Sequence, residues 1–204
     1  VRLAFTGHIA GAGTGSGLRI VVGAWDESPF GTFTDVMLQC ADDERVLLAP
    51  DDSVAEFVGS TYRFDRVEVG AVSAGFGAGQ LVVTTENFDA RFRIGGPARV
   101  DHLLRLVPRR LATSPRWLRV IDPVAARVLP GVHTYGTAGN GRVEYYGVRR
   151  SRRITAIDGH YRGSPFGGLA PLRPPVSFGF SSAPSAPQIV SVTTTIDESR
   201  QAIR

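Results

Sequence analysis

Residues 11–25 read Gly-Ala-Gly-Thr-Gly-Ser-Gly-Leu-Arg-Ile-Val-Val-Gly-Ala-Trp, or GAGTGSGLRIVVGAW. A glycine-rich loop behind a strand opens a dinucleotide-binding α/β fold only when a helix comes next, because the phosphates sit on the free N–H groups of that helix's first turn. The segment from Leu18 to Trp25 is instead rich in β-branched and aromatic residues, which is strand composition. The glycines are therefore read as a flexible hairpin loop, and the fold around them as antiparallel β.

On either side of this stretch, Val1, Leu3 and Phe5 alternate with Arg2 and Ala4, while FTDVMLQC (33–40) and RVLLAP (45–50) give two further short strands. Period-two patterns recur over 66–71 and 88–94, as in strands with one face on a core. Strands return in RVEYYGVR (142–149) behind the hairpin signal Asn140-Gly141, and again in RITAIDGHY (153–161), VSFGF (176–180) and IVSVTTTI (189–196). A short helix is expected over about 52–60, opened by the capping-box pair Ser53 and Glu56. Between about 100 and 130 the period lengthens, with Leu103, Leu104, Val107 and Leu111, then Trp117, Ile121, Val124 and Val128, on helical faces. Ser114-Pro115 reads as a helix start, Asp122-Pro123 as a kink or restart, and Pro130-Gly131 as the end. The layout is mainly β (α+β): one domain over 1–204, an antiparallel barrel-like or two-layer sheet with two or three covering helices. Residues 162–175 form a Gly/Pro-rich loop of the kind that serves as a lid.

The chain has 204 residues, 43% hydrophobic and 21% charged, which suits one substantial core. No apolar run is long enough to span a bilayer and the first residues lack a secretory pattern, so a cytoplasmic protein is expected. Cys40 is the only cysteine, which removes intrachain disulfides and thiolate zinc clusters; its apolar strand context reads as an inert thiol. All 23 basic side chains are arginine. With no lysine, Schiff-base chemistry and a P-loop are excluded. This usage, with abundant Ala, Gly, Val and Pro, fits a G+C-rich bacterial coding sequence.

Charge is uneven. Arg99 to Arg162 holds 13 arginines and four acids, net +9, against −5 for the remainder. Such a half can face nucleic acid, an anionic membrane or an acidic partner, or be simply a solvated surface. Nucleic acid is disfavoured because no aromatic-studded strand or recognition helix accompanies the arginines. For the helical insert, core packing or a subunit interface in a homo-oligomer ranks above a membrane surface, given its prolines. His8, His102, His133 and His160 are scattered without a ligand pattern, so neither a metal nor another cofactor is expected. No G-x-S-x-G motif occurs.

The chemically richest strand is 142–149, where alternation puts Glu144 with Arg142 and Tyr146 on one face and Tyr145 with Arg149 on the other. The motif SPFG occurs twice, at 28–31 and 164–167, and turn chemistry alone accounts for both copies. The run Trp25-Asp-Glu-Ser-Pro-Phe-Gly-Thr-Phe-Thr-Asp35-Val36 resembles the segment of the acetoacetate decarboxylase-like superfamily in which a Ser-Pro-x-Gly turn leads to an acidic residue on the next strand. The resemblance implies a barrel-like protein with an enclosed small-molecule cavity and Asp35 pointing into it. Decarboxylases and aldolases of that kind use a lysine, which this chain lacks, so the resemblance implies a lysine-independent lyase or isomerase, or a binding protein. On this reading the ligand is a small organic acid or a polyketide-like molecule. Asp35, Glu144 and His160 are the acid–base candidates, Arg149 and Arg162 the anion anchors, and Trp25, Phe30, Tyr146 and Phe166 the apolar walls, with the two SPFG loops as lids over one opening. The alternative is a non-enzymatic interaction protein whose Arg-rich insert docks on an anionic membrane or an acidic partner.

Overall fold

A computed structural model describes residues 1–128, 132–179 and 183–198. Strands β1 (Arg2–Thr14), β2 (Arg19–Glu27), β3 (Phe33–Gln39) and β4 (Arg45–Ala49) form an antiparallel meander, and helix α1 (Asp52–Thr61) crosses to β5 (Arg66–Val69), which pairs parallel to β4. Next come β6 (Ser73–Gly77), β7 (Gln80–Thr84) and β8 (Phe88–Pro97), the helical insert α2 (Asp101–Leu104), α3 (Arg109–Ala112) and α4 (Pro115–Val128), and β9 (Tyr135–Thr137). The 19-residue β10 (Val143–Tyr161), the short bridges β11 (Ser164–Pro165) and β12 (Leu169–Ala170), and β13 (Gln188–Asp197) complete the order. One sheet path runs β5-β4-β3-β2-β1-β13-β10-β8-β7-β6, with β13 returning from the far end of the chain to lie between β1 and β10.

This sheet is rolled into a half-barrel. Ile20 and Val22 of β2, Leu38 of β3, Leu81 of β7 and Phe92 of β8 share one buried cluster, although their strands lie far apart in the sheet order. Among the described residues, β5 and β6 end the order without bonding to each other. The inside of the roll is filled by side chains. The opposite set of alternating residues on β1, β2, β3, β10 and β13 faces the helices instead. The hollow expected inside the curl therefore lies on the other face, between sheet and helices.

Several local expectations are corrected. β1 runs on through Gly11 and Gly13 to Thr14, so only 15–17 form the hairpin turn. Helix α1 starts earlier than the capping-box reading: the Asp51 carboxylate accepts the Val54 N–H at 2.9 Å. Asp51→Ala should cost about 1 kcal/mol in urea unfolding, the usual value of an N-cap, while Ser53→Ala should cost far less. The first insert helix breaks into α2 and α3 because Pro108 takes an extended ψ of 140°. Helix α4 continues through Pro123; its Asp122 carboxylate accepts the Thr134 N–H at 2.6 Å, and the Thr134 hydroxyl donates to the Leu118 carbonyl, also at 2.6 Å. These contacts tie the turn before the proline to the chain entering β9. Residues 176–179 are loop rather than strand, yet Val176 and Phe178 are buried against Val21. The β6–β7 hairpin has no counterpart in the sequence reading, its glycine-rich SAGFG lacking a clear period. The helix end at Pro130-Gly131, the side chain of Val128, Phe180 and the tail after Glu198 lie outside the described residues. Among the described residues no helix is long and apolar enough to cross a membrane.

Candidate functional site

Between the sheet and helices α1, α2 and α4 lies a cavity of about 370 Å³. Its walls are mostly aliphatic and aromatic: Val21 and Met37 from the sheet, Phe57 from α1, and Trp117, Leu118 and Ile121 from α4. Asp35, Tyr62, Tyr146 and Thr194 are polar groups on its surface. A cavity of this size and character suits a small, largely apolar molecule held by a few fixed polar contacts.

Asp35 reaches the cavity because strand alternation puts Val36 and Leu38 into the filled roll and Phe33, Asp35 and Met37 on the opposite face. Its Oδ1 accepts the Trp25 Nε1–H at 3.0 Å. Directly opposite on β2 is Gly23; a Cβ there would lie 2.6 Å from Asp35 Oδ1 and 2.7 Å from Trp25 Nε1. The missing side chain is what gives this pair its space. Asp35 is 3% exposed, and burial pushes its carboxyl up from 3.8 to about 7, against the smaller opposing effect of the Trp25 bond.

Glu144 lies behind the cavity wall, fully buried. Tyr62 Oη is 3.1 and 3.0 Å from its two oxygens, Tyr146 Oη donates to Oε2 at 2.9 Å, and the two phenol oxygens are 2.8 Å apart. Three groups thus touch pairwise. Two phenol protons can fill only two of those contacts; a protonated carboxyl supplies a third. Burial accordingly raises Glu144 from 4.5 to about 7, with the tyrosines and Arg142 pulling the other way. Burial, and after it the Glu144 charge, also raises both phenols well above their usual value. The Asp35 charge adds a smaller push in the same direction at Tyr146. Thr194, paired across the strands with Tyr146, has a buried hydroxyl without a hydrogen-bond partner.

A scan of the sequence against protein-family models finds no match, and a search of curated proteins finds none. A search of solved structures matches the crystal structure of acetoacetate decarboxylase from Legionella pneumophila at 8% identity and a TM-score of 0.44, covering 97% of this chain and 85% of that one. The chain is similar to that structure across nearly its whole length.

Of the residues singled out by sequence, Asp35, Trp25 and Tyr146 line the cavity and Glu144 bonds to its wall. Phe30 stands one layer back, 36% exposed, its ring 5.0 Å from that of Phe57. The others lie elsewhere. His160 is exposed on β10 opposite Pro165, and Arg162, in the turn just after β10, pairs with Glu68. Phe166 is buried inside the filled roll against Phe88. Arg149 faces a separate outer cleft. The SPFG turns are not lids over one opening. The first closes the β2–β3 hairpin, with its Ser28 hydroxyl bonded to Phe30 N–H and the Gly31 carbonyl. The second packs on the β1–β2 turn through Ser16 N–H to the Phe166 carbonyl. Those turns sit at opposite ends of the nine-residue β2, roughly 30 Å of strand. Sequence reasoning misses Tyr62, Thr194 and Gly23, since nothing local marks a residue just past a helix or opposite a carboxylate. Among the described residues no group of three or more His, Cys, Asp or Glu gathers as a metal site.

Proposed function

We propose that the protein binds a small, mainly apolar carbonyl compound and moves its α-proton, a keto–enol isomerisation that needs no lysine. The observation that carries this reading is an apolar cavity with one buried carboxyl, Asp35, on its wall and a second, Glu144, hydrogen-bonded behind it to the wall residues Tyr62 and Tyr146, each carboxyl raised to about 7. General acid and base groups work best when their pKa values lie near the working pH. Protonated Asp35 donates to the carbonyl oxygen. The Tyr146 phenol takes the α-hydrogen as a proton while passing its own proton to ionised Glu144; the C–H electron pair becomes the new C=C bond. The Thr194 hydroxyl is placed to bond the ligand. No arginine lines the cavity among the described residues, so the anion anchor expected for an organic acid is replaced by neutral hydrogen-bonding groups, and the favoured ligand is uncharged.

Both tryptophans of the chain line the cavity, so their fluorescence reports its occupancy. Medium-chain alkyl ketones should change that emission, and the bound ketone should gain deuterium from D2O at its α-carbon. Asp35→Asn should still bind but exchange at least about a hundredfold more slowly, the usual worth of a positioned proton donor. Ketones that bind and show no exchange above the solvent rate would refute the catalytic part.

A second reading, docking through the insert, is favoured by the aliphatic side chains the insert leaves in water: Leu106, between α2 and α3, is 78% and Val120 of α4 72% exposed. Wild-type sedimentation with anionic vesicles, undisturbed by Asp35→Asn, would support it.

A further inference from the structure

We infer that the cleft on the outer side of α2 and α3 is a binding site for a phosphate group. The cleft measures about 410 Å³, and Arg105, Arg109, Arg149, Arg150 and Ser191 line it. It shares Leu104, Val107 and Ala112 with the apolar cavity, so α2 and α3 form a wall that is greasy inside and basic outside.

The cleft is built by identifiable features. Between β9, which pairs with 143–145 of β10, and β8, which pairs from Arg152 onward, the edge of β10 is covered by α2 and α3 instead of a strand. Gly147 allows that approach, because a Cβ there would lie 2.7 Å from the Ala112 carbonyl oxygen. The β10–β13 register then slips: Val148 faces Val192 and Arg150 faces Ser191, leaving Arg149 as the extra residue of a bulge. A bulge re-aims side chains, and here consecutive arginines reach one cleft.

Charge balance points to the ligand class. Fully buried Asp101 bonds Arg105 Nε at 2.7 Å and Arg150 Nε at 3.1 Å, and accepts the Ser151 N–H at 2.8 Å. It fixes two guanidinium groups and neutralises one charge of four. Among the described residues Arg109 and Arg149 form no ion pair, and the enclosed Nε of Arg149 has no acceptor. Converging guanidinium forks with a surplus of about three positive charges suit a phosphate, whose oxygens accept bidentate bonds and whose dianion balances the excess. The volume leaves room for an attached organic group. Exposed Leu106 and Leu111 on the same segment allow two sources, a soluble phosphate ester or a phosphomonoester lipid headgroup.

The test uses the full chain and does not depend on the acid–base reading. Inorganic phosphate is titrated calorimetrically at two ionic strengths, and phosphatidylcholine vesicles with and without phosphatidic acid are sedimented with the protein. Wild type should bind phosphate more weakly at high salt. The Arg109→Ala/Arg149→Ala double variant should lose about tenfold or more in affinity, Arg149→Lys should recover only part, and Arg91→Ala on distant β8 should match wild type. Phosphate binding without vesicle pelleting assigns the site to soluble esters; pelleting that needs phosphatidic acid and is lost in the double variant assigns it to a headgroup. Circular dichroism confirms that each variant is folded. No phosphate binding by wild type, or affinity unchanged in the folded double variant, would overturn the inference.

Discussion

Asp35→Asn should flatten the loss of stability that wild type shows between about pH 4 and pH 7, and Glu144→Gln should remove much of the remainder. Both carboxyls hold their protons more tightly folded than unfolded, Asp35 raised from 3.8 and Glu144 from 4.5, each to about 7. A raised folded pKa gives stability that is complete below the unfolded pKa and lost as pH climbs through the folded one. In that window the unfolded chain has released a proton that the native state keeps, so each group lowers stability by about 1.4 kcal/mol per pH unit. The ion-paired acids act in the opposite sense and at lower pH. Asp65, held at about 2 by its bonds to Arg45, and the lowered Asp43 and Asp197 stabilise above the ordinary carboxylate range and lose that contribution as pH falls. The two windows are therefore separate. Urea unfolding at pH steps from about 4.5 to 8 reads the slope; a flat wild-type profile, or an Asp35→Asn profile as steep as wild type, would be incompatible with the burial of these charges.

Gly23→Ala should cost about 1–3 kcal/mol, the range for leaving a buried polar group unsatisfied. The added methyl would sit within contact distance of both partners of the Trp25–Asp35 hydrogen bond, in the centre of a sheet whose backbone cannot retreat. Pushing Trp25 away removes a donor that favours the charged carboxylate, so Asp35 should titrate still higher and Trp25 emission should change. Gly70→Ala, where a Cβ meets nothing within 4 Å, serves as control. Because the damage passes through Asp35, Gly23→Ala and Asp35→Asn should be non-additive; additive costs would show that the methyl acts elsewhere.

Much of this arrangement can be read from alternation, and its limits have a physical origin. Period two places Asp35 with Met37 and Glu144 with Tyr146, and these assignments need no tertiary information. It does not say which face of β2 is filled and which is hollow, because Ile20 and Val22 are as apolar as Val21 and Trp25. That choice is made by the roll of the sheet, which brings Leu81 and Phe92 onto the first face and α4 onto the second. Arg162 and His160 come after the chemically rich strand in sequence, but 19 residues of β10 carry them out of reach of its other end. Tyr62 joins Glu144 across 82 residues, a pairing that only the packing of α1 on the sheet creates. The insert shows the converse: its helical faces are legible, whereas the arginines they carry are organised by Asp101 and a strand bulge that no local pattern displays.

The proposed chemistry needs both buried carboxyls, Asp35 on the cavity wall and Glu144 behind it, to titrate well above the usual carboxylate range, so that near neutral pH Asp35 can hold a proton while Glu144 can be ionised to take one. Infrared spectroscopy can read the carboxylic C=O stretch in wild type, Asp35→Asn and Glu144→Gln at about pH 6, where ordinary carboxyls are ionised. Wild type should show protonated-carboxyl absorption, with one part missing in each variant. A wild-type spectrum with no such absorption at that pH would rule the arrangement out.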